Sequence, residues 1–138
     1  MNGKDNKNKI KTFEDLEVWK VCQELRKNIT ELARRLPAGE KNRLSDQMIR
    51  ASRSVTANIA EGYGRFHYQE NIRFCRQARG SLYEIIDHLM VAHDEGYLID
   101  DKLKVYREDI SRSLSLLNGY IRYLKKAKLA SQNEQQDL

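Results

Sequence analysis

The amino-acid sequence predicts an all-α protein built as an antiparallel, up-down four-helix bundle. Apolar residues recur every three or four positions through four long segments of the 138-residue chain, which is the period of an amphipathic helix. The single proline, Pro37, and glycines such as Gly96 stand at the breaks between these segments, where short turns would join the helices. No segment alternates apolar and polar residues as a strand does, so we expect no sheet. A chain of this length makes one domain with a sizeable core.

The first two helices are expected over residues 13–36 and 40–62. The first ends at Pro37, which cannot continue a helix. The second carries small residues beside its apolar stripe, and these permit close approach by a neighbouring helix. The two stripes are Phe13, Leu16, Trp19, Cys22, Leu25, Ile29, Leu32 and Leu36, and then Leu44, Met48, Ala51, Val55 and Ile59.

The third and fourth helices are expected over residues 67–95 and 101–130. Gly96 is a natural stop for the third helix, and Asp100 or Asp101 can cap the fourth. Residues 1–11 and 131–138 are polar, so we expect disordered termini and a bundle over residues 12–130. The two stripes are Ile72, Cys75, Ala78, Leu82, Ile85, Leu89 and Ala92, and then Leu103, Tyr106, Ile110, Leu117 and Leu124.

Several classes of protein are disfavoured by composition. The two cysteines, Cys22 and Cys75, fall at core positions of different helices, which suggests neither a disulfide framework nor a metal knuckle. Glu84 stands four rather than three residues before His88, so the paired Glu-x-x-His pattern of di-iron bundles is not matched. We expect no metal, no cofactor and no enzymatic activity, since phosphate-binding glycine loops and nucleophile elbows are also absent. Without a long apolar run, a cytoplasmic protein is expected rather than a membrane protein.

The fourth helix has more apolar surface than one bundle needs. A second stripe flanks its main one, and the surplus favours a subunit interface over a wide core helix wedged between two neighbours. Gly80 lies opposite the core stripe of the third helix, where close approach by another backbone would explain a glycine. We therefore expect a homo-oligomer. The interface candidates are Gly80, Val91, Leu116 and Tyr123.

The net charge is +5, and every basic residue between Met48 and Arg79 is an arginine, the side chain best suited to phosphate forks and stacking. Tyr63 and Tyr68 flank Arg65, a mixture that could stack unpaired bases. The alternative is that these arginines pair across subunits and that the tyrosines close the bundle end. Lys125 and Lys126 would then serve the helix alone, because cations are favourable near a helix C-terminus. The nucleic-acid-binding candidates are Arg50, Arg53, Tyr63, Arg65, Tyr68, Arg73, Arg76, Lys125 and Lys126.

Asn58 and Glu61 are polar residues near the apolar stripe of the second helix. Because burying an unpaired polar group costs about 1–3 kcal/mol, we expect both to join a network that holds helices or subunits in register. Catalysis by Glu61 is the alternative, but a general acid or base would need a second convergent group, which the sequence does not supply.

The run from Ser54 to Arg65, with Asn58-Ile59-Ala60-Glu61-Gly62 at its centre, and the run from Gly80 to Glu84 resemble a family signature. The family comprises small four-helix-bundle proteins first noticed in intervening sequences of bacterial 23S ribosomal RNA genes, often labelled S23 ribosomal proteins. Thr56 stands where many relatives carry proline, which predicts a straighter second helix. The resemblance implies a homopentameric barrel. More distantly, the chain resembles the accessory protein of diversity-generating retroelements, a basic pentamer that engages a reverse transcriptase.

Two functions follow from these features. The favoured one is a non-enzymatic oligomer that binds RNA, such as ribosomal RNA or a ribonucleoprotein, because a closed ring would multiply the charge of each subunit. The alternative is a protein-interaction scaffold, for example for a reverse transcriptase.

Overall fold

The computed structural model describes residues 9–136. Over these residues the chain is all-α and contains no strand, as the sequence predicts. The long helices are α1 (Glu17–Arg35), α2 (Asp46–Tyr63), α3 (Tyr68–Asp94) and α4 (Asp100–Gln136). A single 3-10 turn (Phe13–Asp15) precedes α1, and a 3-10 turn (Ala38–Glu40) followed by a π-helical turn (Lys41–Ser45) leads into α2.

Neighbouring helices run in opposite directions. Along α2 and α3, Ser54 lies beside Ser81 and Gly62 beside Asn71, so the residue numbers rise in one helix as they fall in the other. The helices α3 and α4 are paired in the same sense by Arg79 with Asn118 and by Gln69 with Lys128. These pairings are those of antiparallel neighbours joined by short connections.

The four apolar stripes meet in one core. Among its fully buried side chains are Ile29 from α1, Met48 from α2, Leu82 from α3 and Leu117 from α4. Cys22 and Cys75 are both buried, as predicted, and both are free thiols. Burial raises the pKa of the Cys22 thiol to about 11 and that of Cys75 to about 12. Both thiols are therefore protonated and apolar in character at neutral pH.

Helix boundaries differ from the predicted ones at three points. An extended Leu16 separates the first 3-10 turn from α1, so the predicted first helix is interrupted near its start. The second helix becomes α-helical only at Asp46, because residues 41–45 form a π-helical turn. Asp100 and Asp101 are the first two residues of α4 rather than its cap, and there their carboxylates face the positive end of the helix dipole.

The C-terminal prediction is wrong over residues 131–136. Helix α4 continues to Gln136 instead of ending near Ala130. Glutamine, glutamate and alanine are good helix formers, and no glycine or proline follows Ala130 to stop the helix. Residues 1–8 and 137–138, which belong to the predicted disordered termini, lie outside the described part of the chain.

Within residues 9–136, no helix combines the length and the apolarity needed to cross a lipid bilayer.

Candidate nucleic-acid interface

A close contact between α2 and α3 shapes one end of the bundle. Gly62, in the last turn of α2, faces the first turns of α3. A Cβ atom placed on it would lie 2.7 Å from Asn71 Oδ1 and 2.9 Å from the Cβ atom of Phe74. Only glycine therefore fits this approach, and the two helices are joined across the short turn from Gly64 to His67.

The turn and α4 together form an open cleft of about 540 Å³. Tyr63, Arg65 and Tyr68 line it from the α2–α3 side, and Tyr120 and Tyr123 line it from α4. The rings of Tyr120 and Tyr123 are stacked, with centroids 6.2 Å apart and planes 16° apart. Three of the predicted nucleic-acid candidates thus meet two further tyrosines. The spacing of Tyr120 and Tyr123 at i and i+3 on one helix was the sequence signal for this second pair.

The floor of the cleft is held by a buried polar contact. Asn71 is 7% exposed, and its Nδ2 donates a hydrogen bond to Tyr120 Oη at 3.2 Å. Cys75 Sγ lies 3.5 Å from Asn71 Oδ1, to which it donates. Burial raises the pKa of Tyr120 to about 12, and the hydrogen bond from Asn71 opposes this rise. Tyr120 is therefore a neutral phenol fixed between α3 and α4. Sequence reasoning missed Asn71, whose only signal was a polar residue beside the apolar stripe of α3.

Arg65 is fixed by three neighbours. Its guanidinium lies 3.0 Å from a Glu61 carboxylate oxygen and 3.8 Å from a Glu70 oxygen. The same group sits 4.9 Å above the centre of the Phe74 ring, in cation–π geometry. Arg65 therefore presents an ordered guanidinium whose charge is partly compensated. Glu61 is exposed and held by this ion pair.

Asn58 belongs to a polar network between α2 and α3. Its Nδ2 donates to the Ser54 carbonyl at 2.8 Å and to Ser54 Oγ at 3.0 Å. Ser54 Oγ in turn lies 2.9 Å from Ser81 Oγ on α3. The chain of hydrogen bonds joins the two helices within one subunit.

The other candidate arginines are spread over the outer faces of α2 and α3. Arg50 lies 3.3 Å from Asp46, one turn before it. Arg53, Arg73 and Arg76 are exposed and make no salt bridge within residues 9–136. Of these, Arg73 approaches the cleft end, with its guanidinium 5.4 Å from the Phe74 ring centre. The structure therefore does not gather all the predicted residues into one site.

The basic residues near the end of α4 also differ in their position relative to the cleft. Lys125 and Lys126 are both exposed. At about 100° per residue, Lys126 lies roughly 60° around the helix from Tyr123, whereas Lys125 lies roughly 160° away. Lys128 reaches the start of α3, where its Nζ donates to Gln69 Oε1 at 2.6 Å. Lys128 thus reaches the start of α3 beside the cleft, whereas Lys125 and Lys126 are not among the residues that line it.

The interface candidates occupy different environments. Gly80 is exposed, and a Cβ atom on it would meet nothing within 4 Å. Val91 and Tyr123 are exposed as well. Leu116 is half-buried and packs against the core, so this part of the surplus stripe is used within the subunit. Glu84 is exposed, with a carboxylate oxygen 3.3 Å from His88 Nε2.

The family comparison covers most of the fold just described. No curated protein matches the chain. A family model described as 23S rRNA-intervening sequence protein matches residues 14–119, from the turn before α1 to the middle of α4. The matched region includes the Gly62 contact, the Asn58 network and Gly80, but it ends just before the α4 wall of the cleft. Because the match spans well over half of the sequence, the chain belongs to the 23S rRNA-intervening sequence protein family.

Proposed function

We propose that this protein is a non-enzymatic RNA-binding protein that acts as a homo-oligomer in the cytoplasm, with ribosomal RNA as its class of partner. The cleft at the α2–α3 end of the bundle carries the proposal. It combines exposed aromatic rings with an ordered arginine, and Lys128 lies nearby at the start of α3. The description of the family links its members to 23S ribosomal RNA genes and supports this class of partner.

Aromatic rings at this end are open to a planar ligand. Phe66 is 93% exposed and Tyr123 is 62% exposed, which is unusual for side chains with this much apolar area. Stacking of an unpaired base on such a ring contributes about 1–3 kcal/mol and tolerates any sequence. Single-stranded loops and bulges of structured RNA offer bases in this form.

Three features of the protein beside these rings would attract the phosphate groups of RNA. Arg65 presents its guanidinium at the cleft, and the Lys128 ammonium lies at the start of α3, where it donates to Gln69. The N-terminus of α3 opens at the same place, and His67 supplies no side-chain cap for its first N–H groups. Free N–H groups and the helix dipole favour an anion at that position. Bases and backbone of one strand could therefore be held together.

The carboxylates at the α2–α3 end of the bundle support a binding role rather than a catalytic one. Glu61 and Glu70 both lie within ion-pair distance of Arg65. Carboxylates paired with a guanidinium in this way orient the arginine. We therefore assign Glu61 a positioning role toward Arg65.

Oligomerisation would raise the affinity for RNA. Each subunit carries a net charge of +5, and a closed ring repeats that charge and the cleft once per subunit. Counterion release grows with the number of phosphates neutralised. A pentameric ring, which the resemblance implies, is the assembly we propose.

Fluorescence anisotropy with a labelled RNA stem-loop and a duplex of equal length tests the proposal. We expect binding to weaken steeply with rising salt, and Tyr123→Ala to weaken binding of the loop about tenfold with little effect on the duplex. Leu129→Ala is the control, because Leu129 on α4 is 59% exposed and lies outside the cleft. Equal losses of RNA affinity in both variants would show that the cleft is not the RNA site. A lack of RNA binding at low salt would refute RNA binding altogether.

A protein-interaction scaffold is the second candidate. An open groove of about 820 Å³ runs between α1 and α2, with Phe13, Trp19 and Ala60 on its apolar walls and Arg26 and Arg53 among its cations. Such a groove suits an amphipathic acidic segment. Absence of RNA binding at low salt, together with binding of a reverse transcriptase or a similar enzyme, would favour this function.

A further inference from the structure

The outer face of α3 carries a simple charge pattern around a glycine. Gly80 stands at its centre, Arg76 lies four residues before it and Glu84 four residues after it. All three are exposed, and the space above Gly80 is open to 4 Å. Residues four apart lie on the same face of a helix, so the three form one stripe. One half of this stripe is positive and the other negative.

The outer face of α2 repeats this pattern. Ala57 stands at its centre, Arg53 lies four residues before it and Glu61 four residues after it, and all three are exposed. Each helix thus carries a small residue flanked by an arginine on its N-terminal side and a glutamate on its C-terminal side. When two such helices meet antiparallel, with the small residues opposed, each arginine faces a glutamate.

We propose that α3 of one copy packs antiparallel on α2 of a second copy, with Gly80 against Ala57. Glycine and alanine have small side chains, so the two helix backbones can approach closely. Such an approach would also explain the exposed glycine in mid-helix, where glycine is a poorer helix former than alanine. The register gives three ion pairs between copies. They join Arg53 to Glu84, Glu61 to Arg76 and Arg50 to Asp87, where Asp87 stands seven residues after Gly80 and Arg50 seven before Ala57. Glu61 also contacts Arg65 and Arg50 also contacts Asp46 within one copy, so two of the three pairs would add a partner to an existing ion pair.

This contact uses two different surfaces of the same chain. Each copy that binds through α3 still has a free α2 face, and such heterologous contacts either close into a ring or extend as a filament. The inference rests on the homo-oligomer in the proposed function and names its interface. It also divides the arginines: Arg50, Arg53 and Arg76 hold subunits together, whereas Arg65 remains at the RNA cleft.

Charge exchange across the proposed contact tests the register. Light scattering should give an oligomer for the natural chain, and Arg53→Glu or Glu84→Arg alone should release the 16.2 kDa monomer. The double variant Arg53→Glu/Glu84→Arg restores opposite charges at every contact and should recover the oligomer. Arg112→Glu is the control, since it makes the same charge change at an exposed position of α4.

A two-fold contact between two α3 helices makes a different forecast. There, Arg76 of each copy faces Glu84 of the other, so Arg53→Glu would leave the mass unchanged and the double variant would stay monomeric. Either result overturns the α2–α3 contact, as does a natural chain that is monomeric. Gly80→Leu provides a second check: the side chain meets open space within the subunit, so helicity should persist while the oligomer is lost.

RNA binding by the same variants separates this inference from the proposed function. Failure of the natural chain to bind RNA would refute the cleft but leave the mass measurements intact as a test of the contact. The monomer released by Arg53→Glu should keep the preference for a stem-loop over a duplex, because Tyr123 and Arg65 are unchanged. Loss of that preference with an intact oligomer would place Arg53 in the RNA site and overturn its assignment to the contact.

Discussion

Replacing Gly62 by alanine should destabilise the fold, although alanine is the better helix former. The new Cβ atom would stand 2.7 Å from Asn71 Oδ1, 2.9 Å from Phe74 Cβ and 3.1 Å from the Asn71 carbonyl oxygen. Two of these neighbours are a Cβ atom and a backbone atom, which cannot move unless α3 itself moves away from α2. Overpacking of this kind costs typically about 1–3 kcal/mol, and the upper half of that range applies here.

The gain in helix propensity offsets part of this cost. Alanine is more favourable than glycine by about 1 kcal/mol in a helix interior, which leaves a net loss of roughly 1–2 kcal/mol. With an unfolding entropy of about 2.1 cal/mol/K per residue, this corresponds to a Tm lowered by roughly 3–7 °C. The loss should also displace the first turns of α3, including Asn71, and so disturb the floor of the cleft.

Gly119→Ala is the matched control for this measurement. Gly119 lies within α4, and a Cβ atom there would meet only the flexible end of Arg122, at an ordinary 3.6 Å. Its propensity gain should raise the Tm by roughly 3 °C. Thermal unfolding followed by circular dichroism compares the two variants with the natural chain. If both alanines raise the Tm equally, the close contact at Gly62 is not tight and the reasoning fails.

Two further predictions concern pH and the surplus stripe of α4. The folded state raises the pKa of Cys75 from 9.0 to about 12 and that of Cys22 to about 11, so the unfolded chain loses these protons first. The free energy of unfolding should therefore be at its full value below pH 9 and fall as the pH rises toward 12. Urea titrations at several pH values should show a shallower fall with pH for Cys75→Ala than for the natural chain. An equal fall in the two proteins would contradict this prediction. Leu116→Glu should destabilise the subunit by about 2 kcal/mol or more because Leu116 packs on the core, whereas Tyr123→Glu should change thermal stability by less than about 0.5 kcal/mol. Equal unfolding by the two substitutions would show that Tyr123 also belongs to the core.

The helices could be predicted from sequence because periodicity reports burial directly. Cys22 and Cys75 were placed in the core on their position in the stripes, and both are buried. The end of α4 could not be predicted in this way. Residues 131–136 have no apolar stripe, and their helicity follows from propensity and from extension of an existing helix, for which nucleation is already complete.

The candidate site was only partly predictable. A sequence pattern brings together residues that are near in the chain, and so it found Tyr63, Arg65 and Tyr68 around one turn. Asn71 and Tyr120 meet across 49 positions, a distance that no local pattern reports. The Glu70 partner of Arg65 was also hidden, because it comes within reach only once the turn has folded, whereas Glu61 stands four residues before Arg65.

The direction of the proposed subunit contact has a consequence for RNA binding. Within one copy α2 and α3 are antiparallel, so an antiparallel contact between α3 and the α2 helix of a second copy makes the two α3 helices parallel. All bundles of the ring then point the same way, and every α2–α3 turn lies on one side of it. The aromatic clefts and their cations would therefore share one face, where a single folded RNA could engage several of them and gain from the high effective concentration. A two-fold contact between α3 helices would instead place the clefts at opposite ends of a dimer, and one compact RNA could reach only one of them. An RNA stem-loop that binds the ring much more tightly than the Arg53→Glu monomer, with the same preference for unpaired bases, is the outcome that this geometry requires.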